Sequence, residues 1–271
     1  MAAHGMRGVS GGSLAEVLDA VERSTGTLGT VGDELFAVAS VLDATPSVRR
    51  VLTDPASEPD ARSGLAAAVL GEKIDTATLG IVDVAVQHRW SSGRDLADAM
   101  ELAGLAAHVA AADQDGSLEA LEDELFQSQR VVDDAPELRG VLADRTIDVE
   151  HKRTLIESIF GGKVSAGTLA LLKQAVATRT GSFDAVLSRF AEEVAARRER
   201  LLAEVRSAYD LGDEERTRLA QALTASYGRE VQVNVIVDPS IVGGLQVSIG
   251  DEVIDGTISG RLEDARRRLA G

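Results

Sequence analysis

A chain of 271 residues can bury a substantial core, as one large domain or two modest ones, and its 44% apolar content is ordinary for a globular protein. Aromatic residues make up only 3% while alanine is abundant, which favours close-packed helices over a sandwich or barrel. A formal charge of −16 repels phosphate backbones and anionic lipid surfaces, which argues against nucleic-acid binding and direct electrostatic docking on a membrane, and the lack of cysteine excludes disulfides, thiol catalysis and cysteine metal sites. Along the chain, Met1–Arg7 leads into no apolar stretch, so no signal or transit peptide is expected. No apolar run approaches the roughly 20 residues that span a bilayer.

The first predicted helix covers residues 13–23, with Leu14, Val17, Leu18 and Val21 along one stripe. Asp33 is predicted to cap a second, carrying Leu35, Val38, Val41 and Leu42. Pro46 opens a short third helix, because proline suits a first turn and blocks continuation of the preceding helix. A helix over 60–70 is expected to stop at Gly71 in a C′ position. Another runs over 76–89 with Leu79, Val82 and Val86 at helical spacing, and a further one starts past Gly93.

From there the chain repeats itself. Asp33-Glu34-Leu35-Phe36 recurs as Asp123-Glu124-Leu125-Phe126, an offset of 124 − 34 = 90. Without a gap, Pro46, Arg49, Asp54, Leu65, Gly71, Lys73, Leu79 and Val86 match Pro136, Arg139, Asp144, Leu155, Gly161, Lys163, Leu169 and Val176. This is tandem duplication, and it divides the helical region into 1–122 and 123–200. The second copy ends in a long helix bearing Phe183, Val186, Leu187, Phe190 and Val194.

After residue 200 the period changes. Ala203, Val205, Ser207 and Tyr209 alternate as in a strand. A helix over 213–227 stops at Gly228, and Val231, Val233, Val235 and Val237 form a second strand ended by Asp238-Pro239. Gly243-Gly244 opens a third strand, Leu245, Val247 and Ile249, and a Gly250-Asp251 turn leads to Val253-Ile254 and Asp255-Gly256. Thr257 then caps a closing helix with Ile258, Leu262, Ala265 and Leu269 on one face and Arg266–Arg268 in its last turn. The predicted fold is mainly α: a bundle of two tandem short-helix units, followed by a small α+β domain over 201–271.

Catalytic signals are weak. His4, His88, His108 and His151 lack metal spacing and are expected at helix surfaces, and Arg197-Arg198-Glu199-Arg200 is expected to face water. Asp113-Gln114-Asp115-Gly116 has its glycine too early for a calcium loop and reads as a turn. Gly71 and Gly161 lack the remainder of a phosphate loop, and Gly243-Gly244 precedes a strand, where no helix N-terminus could cradle phosphate. No catalytic residue, metal ligand or cofactor site is assigned.

The C-terminal order Gly243-Gly244, Gly250-Asp251, Asp255-Gly256-Thr257 and Gly260-Arg261-Leu262 resembles the signature of the delta subunit of F-type ATP synthases, the oligomycin-sensitivity-conferring protein of mitochondria. The resemblance covers nearly the whole chain if one extra helical copy is allowed. It implies a non-catalytic stator subunit, one per complex, without cofactor. The helical region would bind alpha subunits of the catalytic head and the α+β domain would bind subunit b, on the cytoplasmic face of a bacterial membrane and without inserting into it. In that family the first and fifth bundle helices hold an amphipathic helix of the alpha subunit. Carried over, the groove takes in Leu14, Val17, Leu18, Val21, Leu79, Val82 and Val86, with Leu169, Leu172 and Val176 as the alternative wall in the second copy. The competing reading is a helical-repeat protein–protein adaptor unrelated to ATP synthase. A small-molecule enzyme with a site between the two regions is a third.

Overall fold

The computed structural model describes residues 6–178, 181–198, 201–228, 231–239, 241, 243–249 and 252–255. They separate into two compact units, 1–198 and 199–271.

The first unit is all helical: α1 (Gly8–Glu22), α2 (Leu28–Ala44), α3 (Pro46–Leu52), α4 (Pro59–Leu70), α5 (Thr76–Gln87), α6 (Gly93–Gln114), α7 (Leu118–Asp133), α8 (Pro136–Ala143), α9 (Val149–Phe160), α10 (Ala166–Ala177) and α11 (Phe183–Arg198). The repeat is one of structure as well as sequence. Each of α7 to α11 starts 90 residues after its counterpart among α2 to α6, as in 118 − 28 = 90 and 183 − 93 = 90. Thr45 and Ala135, each before a proline, leave helical geometry at φ −124° and −119° because the pyrrolidine ring crowds the residue ahead of it.

The polar fastenings repeat as well. The Glu34 carboxylate accepts hydrogen bonds from the Asp75 N–H at 3.0 Å and from the Thr78 hydroxyl, tying α2 to the start of α5. The Glu124 carboxylate accepts them from the Ser165 N–H at 3.0 Å and the Thr168 hydroxyl, tying α7 to α10. Slight burial opposes its charge, but these bonds outweigh it and hold the Glu124 carboxyl below its usual range. This fastening therefore holds at neutral pH and is lost as acid takes the solution below the ordinary glutamate range. Arg62 and Lys152, at matching positions, point inward and donate to the Asp54 and Leu142 carbonyls at 3.2 and 2.8 Å.

Two cores result. The first gathers apolar side chains from α1 to α6, including Val17, Leu35, Leu52, Val86, Leu96 and Met100. The second gathers α7 to α11, including Leu125, Ile156, Leu171, Leu187 and Phe190. The 22-residue helix α6 serves both, giving Leu96, Met100 and Ala103 to the first core and Leu105 and Val109 to the second. Its alanines 97, 99, 103 and 107 are all buried, which lets neighbouring helices come close. Ser92 and Asp95 cap its start reciprocally. α2 makes the most extensive helix contact of the unit with α6. There Gly32 and Gly104 face Phe36 and His108. A Cβ on Gly104 would lie 2.6 Å from the Phe36 ring, and one on Gly32 the same distance from the His108 ring.

Several expectations need correction. Asp33 does not cap a helix: α2 starts five residues earlier, because Leu28 and Val31 share the buried stripe with Leu35, while Val41 faces outward. Gly71 follows α4 in right-handed geometry (φ −58°), so left-handed freedom is not its reason. A Cβ there would sit 2.5 Å from the Ala67 carbonyl oxygen, and Gly161 stands likewise against Glu157. His108 is buried and stacks on Phe36 at 5.4 Å between ring centroids. Arg197 is also buried, where its guanidinium joins Glu22 at the end of α1 to Asp113 at the end of α6. Burial works against that charge, but the two carboxylates outweigh it and raise its basicity further. Arg198 pairs with Glu122. Glu199 and Arg200 lie outside the described residues.

Glu101 of α6 is largely buried, and desolvation pushes its carboxyl above the ordinary glutamate value against the opposing pull of the Thr178 hydroxyl and Arg189. Ionising this carboxyl is therefore harder in the fold than in the unfolded chain, and its contribution to stability falls as pH rises through its folded value. Glu101→Gln cannot ionise and keeps an acceptor for Thr178. It is expected to raise Tm by a few degrees near pH ~8 and to change it little near pH ~4. Calorimetry at both values checks this, and an unchanged or lower Tm at the higher pH contradicts it.

The second unit holds β1 (Leu201–Ser207), α12 (Asp213–Tyr227), β2 (Val231–Val237), β3 (Leu245–Ile249) and β4 (Glu252–Asp255) in one sheet of order β2-β1-β3-β4. β1 pairs in parallel with β2, which the crossover helix α12 requires, and antiparallel with β3, which pairs antiparallel with β4. Ala203, Val205, Leu223, Val231, Val247 and Ile249 form its core. Tyr209 lies beyond the end of β1 and is exposed. Gly228 stops α12 at φ 68°, a left-handed geometry that favours glycine.

Candidate functional site

The described His, Asp and Glu side chains contain no group of three or more placed to hold a metal ion. No described helix is long and apolar enough to cross a membrane. The surfaces that could act are seams between helices.

The structure brings α1 and α5 together. The Ser13 hydroxyl donates to the Arg89 carbonyl at 2.5 Å, and the Ser10 hydroxyl to Asp95 at 2.5 Å, so α1 is fastened to the α5–α6 connection. Leu14, Val17, Leu18, Val21, Val82 and Val86 are buried in the first core, and Leu79 is half-buried. The six buried residues form the inner wall of the seam, and Leu79 is not among the side chains packed on that core. Its open side is a shallow depression lined by small residues, among them Ala20, Gly26, Ala77 and Gly80, with Ile81 beneath. That surface was not legible in the apolar spacing, because small residues carry no hydrophobic stripe.

A second depression lies at the related place in the second copy, where the end of α6 meets the starts of α2 and α10. Its walls include Thr27, Gly29, Gln114, Ser165 and Gly167, and His108 and Leu121 form part of its lining. The His108 Nε2 lies 3.3 Å from an Asp33 carboxylate oxygen, without hydrogen-bond geometry. Leu169 is half-buried, and Leu172 and Val176 are buried in the second core. On both seams apolar side chains hold the helices together and small or polar residues face out. A helix laid on either could approach the backbone closely.

In the second unit, Gly243 and Gly244 have φ of 68° and 82°, and this left-handed pair turns the chain into β3. The expected Gly250-Asp251 turn, Gly256, and Thr257, Gly260, Arg261 and Leu262 of the expected closing helix lie outside the described residues. Asp255 ends β4 opposite Gln246. Ile236 and Val237 on β2 and Val253 and Ile254 on β4 are exposed apolar side chains on the outer strands of the sheet.

The family model described as ATP synthase delta (OSCP) subunit matches residues 106–269, from the last turns of α6 through the α+β unit. Curated relatives match over nearly the whole chain. A protein of Thermobifida fusca called ATP synthase subunit delta is 46% identical over 98% of this chain and 100% of its own. Its namesake in Kineococcus radiotolerans is 44% identical over 97% of this chain and 98% of its own, and that of Streptomyces avermitilis is 42% identical over the full length of both.

Proposed function

We propose, from the premise that this chain belongs to the ATP synthase delta (OSCP) subunit family, that it is a non-catalytic stator subunit holding the catalytic head of an F-type ATP synthase against rotor torque. Its helical unit binds N-terminal segments of alpha subunits, and its α+β unit binds subunit b. It associates with the cytoplasmic face of the membrane through the complex.

The observation that carries this reading is the extent of the family match, which runs through the second helical copy and the α+β unit together. A static link must dissociate slowly, and a Kd of ~1 nM corresponds to about −12 kcal/mol. Broad helical seams floored by packed apolar side chains suit that task. Because the match starts inside α6, the family's single bundle corresponds to α6–α11, and this favours the α6/α10 seam as the seat of the alpha-subunit helix. The α1/α5 seam, with Leu14, Val17, Leu18, Val21, Val82 and Val86 as its inner wall and Leu79 half-buried on α5, is the second reading, favoured by its own open depression.

Cross-linking mass spectrometry of the assembled complex tests both. Links from residues near Gln114 and Ser165 to alpha-subunit N-termini, and from 201–255 to subunit b, are expected. Links from residues near Ala20 and Ala77 would move the seat to the first seam. A coupled ATP synthase purified without this chain would refute the stator role.

A further inference from the structure

The two repeats are joined by apolar packing, but the end of the second is secured by charge. Phe36 of α2 packs in the second core and so joins the copies, while its counterpart Phe126 of α7 is 60% exposed. At the far end of α11 the hold is of another kind. Past the buried Val194 come Ala195 and Ala196, both half-buried, and then Arg197 and Arg198, which end the helix. The Arg197 side chain, 7% exposed, bonds the carboxylate of Glu22, the last residue of α1, and that of Asp113, near the end of α6, at 2.6 Å. Arg198 pairs with Glu122 of α7. Helices α1, α6, α7 and α11 are thus tied together at the two residues after which the chain leaves the helical unit.

Two features set these contacts apart from ordinary surface ion pairs. The negative ends of α1 and α6 disfavour a carboxylate in their last turns, so Glu22 and Asp113 do not serve their own helices. The guanidinium buried between them compensates both. At the matching positions the first repeat has Ala107 and His108 in place of Arg197 and Arg198, and there α6 runs on to Gln114 without a break. The arginines stand where the repeats end and the chain passes to the second unit. We infer that Arg197 is an anchor. Pull arriving from the second unit is passed into α1, α6 and, through Arg198, α7, so that α11 does not peel from its end. The last turn of an unsecured helix opens at almost no cost, and a helix pulled there comes away turn by turn. Here that turn cannot open without stripping a buried cation of both its partners, which is strongly unfavourable. The inference goes beyond the stator role and rests on it only for the source of the pull.

The experiment stretches the isolated full chain in an optical trap. The sequence holds no cysteine, so Ala56→Cys and Glu199→Cys place the two handles uniquely, one between α3 and α4 and one just past α11. In this parent, α11 is expected to yield only in the main rupture. With Arg197→Gln added, α11 should come away first and at lower force, in a separate step of roughly 3–5 nm for its 16 residues. In parallel, native-state hydrogen exchange at amides 194–198 should quicken about tenfold or more in Arg197→Gln, as expected for a lost hydrogen bond to a charged group, while the amides of α9 keep their rate. Asp113→Asn leaves the pair with Glu22 and should shift both readouts the same way by less. Rupture and exchange equal to the parent's in Arg197→Gln overturn the inference, as does a parent in which α11 peels first. If Arg197→Gln does not fold, Asp113→Asn decides alone, and a parent-like result there overturns the inference. Because the isolated chain is stretched, failure of the unsubstituted chain to co-purify with an ATP synthase would overturn the stator reading and leave the anchor standing.

Discussion

Removal of residues 33–122 is expected to leave a folded single-bundle chain that can no longer couple the head to the stalk. The cut joins Gly32 to Asp123 in helical register, because α2 and α7 start 90 residues apart. Helix α1 then takes the place of α6, whose corresponding segment is 98–112, and it is already the partner of α5 as α6 is of α10. Circular dichroism should show a cooperative helical bundle. What is lost is length: one repeat and the 22-residue α6, which at 1.5 Å per residue spans about 33 Å. On the stator role proposed above, the cut also takes α5 and α6, one wall of each candidate seam, so neither native seat for an alpha-subunit helix survives it. ATP-driven proton pumping in reconstituted vesicles should fall about tenfold or more while ATP hydrolysis continues, a loss equivalent to ~1.4 kcal/mol or more of head–stalk attachment. Full pumping with the shortened chain would show that the extra repeat is not a spacer.

The second large effect is expected from Gly104→Val, which gives the first repeat the residue that the second has at position 194. The new Cβ would lie 2.6 Å from the Phe36 ring and 3.1 Å from the Gly32 carbonyl oxygen. The ring can swing away but the carbonyl is held in α2, so Phe36 should turn outward, towards the exposed state of Phe126. Overpacking and the lost ring burial together should cost about 2–4 kcal/mol. For a unit of nearly 200 residues this lowers Tm by roughly 5–12 °C. Because Phe36 joins the repeats, calorimetry should also show the single transition broaden or split. A Tm within about 1 °C of the parent would mean that the α2–α6 contact is looser than its geometry states.

The order of helices within the repeats and the ninety-residue period were legible because prolines 46 and 136 and glycines 71 and 161 punctuate the chain by steric rules that act locally. Strand alternation was legible at Ala203, Val205 and Ser207 and over 231–237, because the period of two is also local, although Tyr209, read as part of the same run, lies beyond β1. Burial across the repeat was not. Phe36 and Phe126 sit in matching sequence, yet their exposure differs because the deciding residues, Gly104 and Val194, lie on other helices. His108 and Arg197 were expected at the surface because nothing next to them in sequence announces Phe36, Glu22 or Asp113. The stripe Leu14, Val17, Leu18 and Val21 identified a helix face correctly, but an apolar stripe does not say whether its own bundle or a partner covers it. Here the bundle covers it, and the outward surface of the seam is made of small residues.

Helix α6 runs through both cores without a break, so the boundary between repeats has no hinge. Bending the helical unit there would mean snapping a continuous run of backbone hydrogen bonds and emptying two cores at once. If the rotor strains this protein during turnover, the helical unit should respond as one stiff rod, and any compliance must be sought in its attachments.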